Sequence, residues 1–250
     1  MLATIQHNSQ KYQIDLTKPI DISIPLSGSK LNVNAWYIGN PKIKPVKQGK
    51  WIGRVNQGSS VNFNNIRFNP HSHGTHTECV GHITKEFHSI NNHIKQFFYL
   101  AEVITVVPEK FEDDAVISKK QLQFALGNKK RGAIVIRTLP NTNEKFTKKY
   151  SHTNPPYLLE EAANYLKEKE VQHLLIDLPS IDKEKDGGKL VAHNSFWNTG
   201  GKIRFDATIT ELIFIPNTVE DGTYFLNIQI ASFENDASPS RPVLYEILNG

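Results

Sequence analysis

Residues 71–82 read HSHGTHTECVGH and hold four of the chain's ten histidines, His71, His73, His76 and His82, with Glu78 between the last two. Asn69, Pro70 and Gly74 argue against a helix at the start of this stretch. From Thr75 onward the chain is expected to be extended, and in an extended chain residues two apart share a face. His76 and Glu78 then point the same way. An imidazole and a carboxylate on one strand, joined by a second imidazole from the loop before it, make a three-point set of nitrogen and oxygen ligands suited to zinc or manganese. Either His71 or His73 can supply that second imidazole, and Gly74 is expected to give the loop the backbone freedom to fold back. A surface loop that happens to be rich in histidine is the alternative. Four histidines in twelve residues with an interleaved acid favour the metal.

Outward from this stretch, the composition sets bounds. A chain of 250 residues with 38% hydrophobic content, 13 Phe, 8 Tyr and 3 Trp can bury a substantial core, which excludes wholesale disorder. No repeat, low-complexity tract or long linker divides it, so residues 1–250 are expected to form one domain. The charge balance of 29 basic against 25 acidic residues, a net +4, is mild and spread out, and no nucleic-acid partner is expected. The runs NKKR (128–131) and TKKY (147–150) read as solvated surface. Cys79 is the single cysteine, which removes an internal disulfide and any cysteine-built metal site. The N-terminus lacks a basic start and apolar h-region, and no segment approaches 18 consecutive apolar residues, so no membrane partner is expected and a cytoplasmic protein is.

Alternating apolar patterns predict strands at 12–16, 20–26, 99–107, 133–138, 174–178, 208–215 and 224–233. Ser118 is a candidate N-cap for a helix reaching Leu126 with Gly127 beyond it, and Pro155 with Pro156 is expected to open a helix running through Glu160 to Lys169. Residues 27–60 read as a long loop carrying Trp36, Tyr37 and Trp51, either a pocket wall or ordinary packing. The result is a mixed α/β class, richer in strand than a doubly wound sheet. In DLPSIDKEKDGG (177–188) the acid spacing does not match an EF-hand loop. Asp177 and Ser180 are expected to hold the turn by local hydrogen bonds, and the trailing Asp182, Glu184 and Asp186 to be solvated. Cys79 should face away from His76 and Glu78, with no part in catalysis.

HSHGTHTECVGH is similar to the His-x-Gly-Thr-His-x-Asp-x-Pro-x-His signature of the metal-dependent cyclase family that includes bacterial kynurenine formamidase and isatin hydrolase. DISIPL (21–26) resembles that family's opening strand, and DLPSID (177–182) followed by Ala192-His193 resembles its later block. The resemblance implies a compact swivelling β/β/α domain and a homodimer, with an N-terminal loop closing the neighbour's pocket. It implies His76 as a metal ligand, Glu78 as a carboxylate bridging two metals, and His82 as general acid/base. Because Ser72 stands two residues before the Gly, the first ligand shifts by one residue to His71 or His73, and His71 requires the smaller loop adjustment. His193 and Glu211 match the remaining ligands, and Trp36 the substrate-contacting aromatic. Glu78 replaces the usual Asp, Cys79-Val80-Gly81 replaces the segment with Pro, and Ile83 replaces a Phe.

The activity so implied is hydrolysis of a small amide, formamide or cyclic amide by water activated on one or two zinc or manganese ions, with His82 moving the proton. The same site could open a lactone or ester, or could bind a ligand without turnover. The intact His82 speaks against the last.

Overall fold

The computed structural model describes residues 1–249. Eleven of its strands join in one sheet whose main path runs in the order Leu2–His7, Gln10–Asp15, Val243–Asn249, Gly222–Asn227, Phe98–Val106, Ala133–Thr138, His173–Ile176, Thr208–Glu211, His76–Glu78 and Ala237–Pro239. Ile20–Asp21 pairs with Val243–Asn249 beside this path. The four strands from Phe98–Val106 to Thr208–Glu211 are mutually parallel, and antiparallel strands flank them on both sides. The mixed, strand-rich α/β class read from the sequence is thus the one observed.

The parallel strands are apolar on both faces, as expected when both are covered. Ile134, Ile136, Leu174, Ile176 and Ile209 face the helices α3 (Lys119–Leu126), α4 (Glu160–Glu168) and α5 (Val191–Trp197), where Leu122, Leu166, Phe196 and Trp197 meet them. Ala133, Val135 and Leu175 face the opposite way, toward Ile22, Ile90 of helix α2 (Ile90–His93), Ile213 and Leu226. Each such Leu or Ile contributes about 1.5–3 kcal/mol by leaving water. Ser118 caps α3 as anticipated: its Oγ accepts the Gln121 N–H, while the Gln121 side chain accepts the Ser118 N–H.

Several local expectations need correction. Pro155 and Pro156 do not open α4. The Tyr157–Leu158 strand follows them, and α4 begins at Glu160, because the extended backbone that prolines favour suits pairing with Asp114–Ile117. Residues 27–60 are only partly loop, since Lys42–Pro45 pairs with Asn64–Arg67 and Lys47–Gln48 with Trp51–Ile52. Leu2–His7 is a strand that the sequence reading left out. NKKR and TKKY are not wholly solvated. Lys129 and Arg131 close over the buried carboxylate of Glu102, and Tyr150 is buried. Among the described residues no helix is long and apolar enough to cross a membrane.

His173 opens the third parallel strand, packed on Tyr99 and bonded through Nδ1 to the Thr208 hydroxyl at 2.8 Å. Burial disfavours its charged form and lowers its pKa from 6.5 to about 3. The folded chain therefore binds fewer protons here than the unfolded chain does between those values. The stability that neutral His173 contributes is present above pH 6.5 and is lost as the pH falls below it, at up to about 1.4 kcal/mol per unit. His173→Gln is expected to flatten the fall in melting temperature between about pH 6.5 and 4. Parallel parent and variant curves would show that the histidine is not the cause.

Candidate metal centre

At the carboxyl ends of the parallel strands, where open α/β sheets place their ligands, five segments bring the polar residues together. Thr208–Glu211 pairs antiparallel with His76–Glu78, setting Glu211 opposite His76 and Ile209 opposite Glu78. The two-residue period then puts His76, Glu78 and Glu211 on one face. On the other face Thr77 Oγ1 meets Thr210 Oγ1 at 2.7 Å and donates to Ser240 Oγ at 2.8 Å, so the buried hydroxyls fix the register by satisfying one another. Helix α1 (Pro70–His73) brings His71 to this face, α5 brings His193, and the turn Val80–His82 brings His82. Leu212, in the left-handed region at φ 54°, bends the chain straight after Glu211, and Glu211 Oε1 accepts the Ile181 N–H at 3.0 Å.

Glu78, with no solvent exposure, is the hub. His71 Nδ1 lies 3.0 Å from its carboxylate, His193 Nε2 3.1 Å, His82 Nε2 3.9 Å and His76 Nε2 4.0 Å. Glu211 closes the group, 3.5 Å from His76 Nε2 and 3.7 Å from His193 Nε2. The other nitrogen of each ring is held from outside. Asp236 Oδ2 lies 2.9 Å from His71 Nε2 and 3.3 Å from His82 Nδ1, Gly74 O is 3.1 Å from His76 Nδ1, and Asp182 Oδ2 is 2.5 Å from His193 Nδ1. An oxygen on the outer nitrogen orients an imidazole and makes its inner nitrogen a better donor to a metal.

The inner atoms are only partly satisfied by one another, as in the His71 Nδ1–Glu78 Oε2 ion pair at 3.0 Å. His71 Nδ1, His76 Nε2 and Glu78 Oε2 are buried without an aligned hydrogen-bond partner among the described residues. Buried polar atoms are ordinarily hydrogen-bonded, and two imidazole nitrogens and a carboxylate oxygen converging without aligned hydrogen bonds are the donor set a divalent cation takes. Three overlapping triads here hold their ligand atoms within 4.8 Å of one another, namely His71–His76–Glu78, Glu78–His82–His193 and His71–His82–Asp236. The residues present therefore fit a divalent metal.

Electrostatics agree with this geometry. Burial disfavours charge on His71, yet Asp236 and Glu78 outweigh it and raise its pKa to about 10. Asp182 and Glu78 likewise overcome burial to raise His193 to about 10. Against its own burial, Glu78 is held well below the usual carboxylate range by His82, His193 and His71. Without metal the two imidazoles carry protons in place of a cation, so metal uptake releases protons.

The structure brings His71, His76, Glu78, His82, His193 and Glu211 into one cluster. His73 is turned away, its Nδ1 accepting the Asn69 N–H and its Nε2 meeting Gly39 O, both at 2.9 Å. Trp36 lies beside the cluster, donating from Nε1 to His71 O at 3.1 Å. Cys79 faces the opposite core, where burial pushes its thiol up to about 12.

Other site expectations are corrected. Residues 70–73 do form a helical turn, because Pro70 occupies its first position, where a missing N–H costs nothing. Gly74 is extended (φ 161°), and what requires glycine is close approach, since a Cβ would sit 3.0 Å from Ile24 O. Asp182 is not solvated. It is buried and accepts the Ala192 and His193 N–H groups besides holding the His193 ring. Glu184 binds the Tyr37 hydroxyl and the N–H groups of His152 and Asn154. Asp186 accepts the N–H groups of Gly188 and Leu190. Asp177 reaches away from its own turn to Thr138 and Lys145. Asp236 was missed altogether, and no nearby motif marks it.

The chain belongs to the Cyclase family, whose model matches residues 14–183. It is 28% identical over 231 residues to a protein named kynurenine formamidase from Bacillus cytotoxicus, covering 90% of this chain and 96% of that one. Among solved structures, a "predicted metal-dependent hydrolase" from Bacillus stearothermophilus superposes with a TM-score of 0.64 at 18% identity, covering 91% of this chain and 98% of that chain. Isatin hydrolase A from Labrenzia aggregata gives 0.67 at 12% identity, covering 92% and 94%. At these identities the structures show a shared fold.

Proposed function

We propose that this chain is a metal-dependent hydrolase of a small amide, such as an N-formyl arylamine or cyclic amide. The observation that carries the reading is the convergence of buried His71, His76 and Glu78 atoms without aligned hydrogen bonds beside a cavity. The relatives named kynurenine formamidase and isatin hydrolase support it. His71, His76, Glu78, His193 and Glu211 would hold one or two divalent ions, zinc or manganese by their nitrogen and oxygen donors. Such an ion, when bound, lowers the pKa of water toward neutrality and polarises a carbonyl.

The chain's own residues do the rest. A cavity of about 320 Å³ opens on the cluster, with Trp36, Ile38 and Leu190 as its apolar wall and His71, His82, His193 and Glu211 on the polar side. Trp36 offers a face to a planar substrate. His82 is the least buried ring of the cluster, its side chain 31% exposed, so it can exchange protons with solvent. With Asp236 against Nδ1, His82 Nε2 can take a proton from water and hand it to the leaving nitrogen. A homodimer is part of this reading. The 42–67 segment supports it by exposing Ile43, Trp51, Phe63 and Ile66, apolar surface suited to a partner.

The test is hydrolysis of formanilide, a cyclic imide and a lactone by tag-free protein as purified, after chelation, and after reloading with zinc or manganese. Cleavage of an amide that chelation abolishes and metal restores is expected. Preference for the lactone would redirect the reading to ester hydrolysis. Full activity after verified metal removal would overturn it.

A further inference from the structure

One wall of the cavity is built on strained backbone. Trp36 and Ile38 line it, and Tyr37 stands between them. Trp36 and Tyr37 both sit in the left-handed region, at φ 60° and 59°, a conformation that bulky side chains rarely adopt and that persists only where contacts enforce it. Up to this point the chain is fixed from α1, the Ala35 N–H donating to Ser72 O and Trp36 Nε1 to His71 O. Beyond it the hold passes to residues far along the chain. The Tyr37 N–H donates to Ser151 Oγ at 2.9 Å and its hydroxyl to Glu184 Oε1 at 2.5 Å. The same carboxylate accepts the His152 and Asn154 N–H groups at 2.5 and 2.8 Å, and these two residues are themselves left-handed, at φ 66° and 46°. Against its own burial, these donors hold the Glu184 carboxyl below its ordinary pKa. The acceptor is therefore charged at neutral pH, and its hydrogen bonds are of the stronger kind. One carboxylate ties two strained turns together, and none of the chemistry outlined above uses it.

We infer that Glu184 is a positioning residue for the substrate: by binding Tyr37 and the 152–154 turn together, it keeps the 36–38 wall in the shape that receives a planar group. Neither Glu184 nor Tyr37 is among the residues lining the cavity, so the effect passes through the backbone to Trp36 and Ile38. Without the carboxylate, the turn at 36–37 relaxes toward ordinary dihedrals and carries both wall residues out of place. The cluster of histidines and acids lies on other segments, so substrate binding weakens while the bound complex reacts at its usual rate.

The kinetic consequence rests on the amide-hydrolase reading, and the experiment separates the two. kcat and KM for formanilide, metal content and acrylamide quenching of tryptophan fluorescence are measured for the parent, Glu184→Ala, Tyr37→Phe and the double variant. Glu184→Ala is expected to raise KM about tenfold, with kcat within about twofold and metal content unchanged. Tyr37→Phe removes only a hydroxyl from a half-exposed side chain. It should raise KM about threefold in the parent and no further in Glu184→Ala, because both changes break one contact. Quenching should rise in Glu184→Ala, and the rise should vanish when Trp36→Phe is added. A loss in kcat at unchanged KM, additive effects of the two changes, or quenching unaltered by Glu184→Ala would each overturn the inference. Should Glu184→Ala fail to fold, a Tyr37→Phe protein with the parent's KM and quenching overturns it instead. A parent that does not cleave formanilide overturns the amide reading, and the quenching comparison, which needs no turnover, then decides the role of Glu184.

Discussion

Glu78→Gln is expected to purify without its metal and to lose at least about a thousandfold in hydrolysis, equivalent to about 4 kcal/mol in the barrier. The amide keeps the volume and removes the charge. In the parent, four imidazoles lie within 4.0 Å of that carboxylate, and without metal it helps raise the pKa of His71 and His193 to about 10. With Gln in place, cationic rings would face one another with only Glu211 inside the cluster, and the ligand set loses its central anion. Elemental analysis of tag-free protein, paired with the amide assay, reads both effects. Full metal content and full activity in the variant would show that the cluster is only a structural polar core.

His82→Gln should behave in the opposite way, keeping the metal and losing about 10²- to 10⁴-fold in kcat, the range for a removed proton-transfer group. The contrast is informative because His82 belongs to two of the three triads that could ligate. What sets it apart is access, since His76 and His193 are buried while the His82 side chain is 31% exposed. If His82→Gln purifies without metal, His82 is a ligand and another group must move the proton. Retained metal with retained rate would remove it from the chemistry.

The centre was legible where chemistry and period coincide on one short stretch. His76 and Glu78 share a face because a strand repeats every two residues, and Cys79 falls on the other side by the same rule. The parallel strands were legible from apolar runs around Ile134 and Leu174, as was the α3 cap from Ser118. What the sequence concealed depends on partners far away along the chain. Asp182 resembled the solvated acids after it until α5 folded its N–H groups and the His193 ring onto that carboxylate. Asp236 lies 165 residues from His71, and nothing around it marks it as the group orienting two histidines. The turn at 70–73 was misread because Pro and Asn usually interrupt helices, whereas here Asn69 is its N-cap and Pro70 its first residue.

The His76–Glu78 strand is held between Thr208–Glu211 and Ala237–Pro239. Two of its three residues belong to the cluster, yet both neighbouring strands come from the last fifth of the chain. During synthesis, His71 to His82 emerge long before the strands that complete the cage, and domains generally fold as units. An ion held as proposed could therefore be enclosed only after residue 239 or so has left the ribosome. On the proposed reading, a nascent chain shorter than that would present its histidines as an open, weak chelator, and loading would be coupled to closure of the sheet edge.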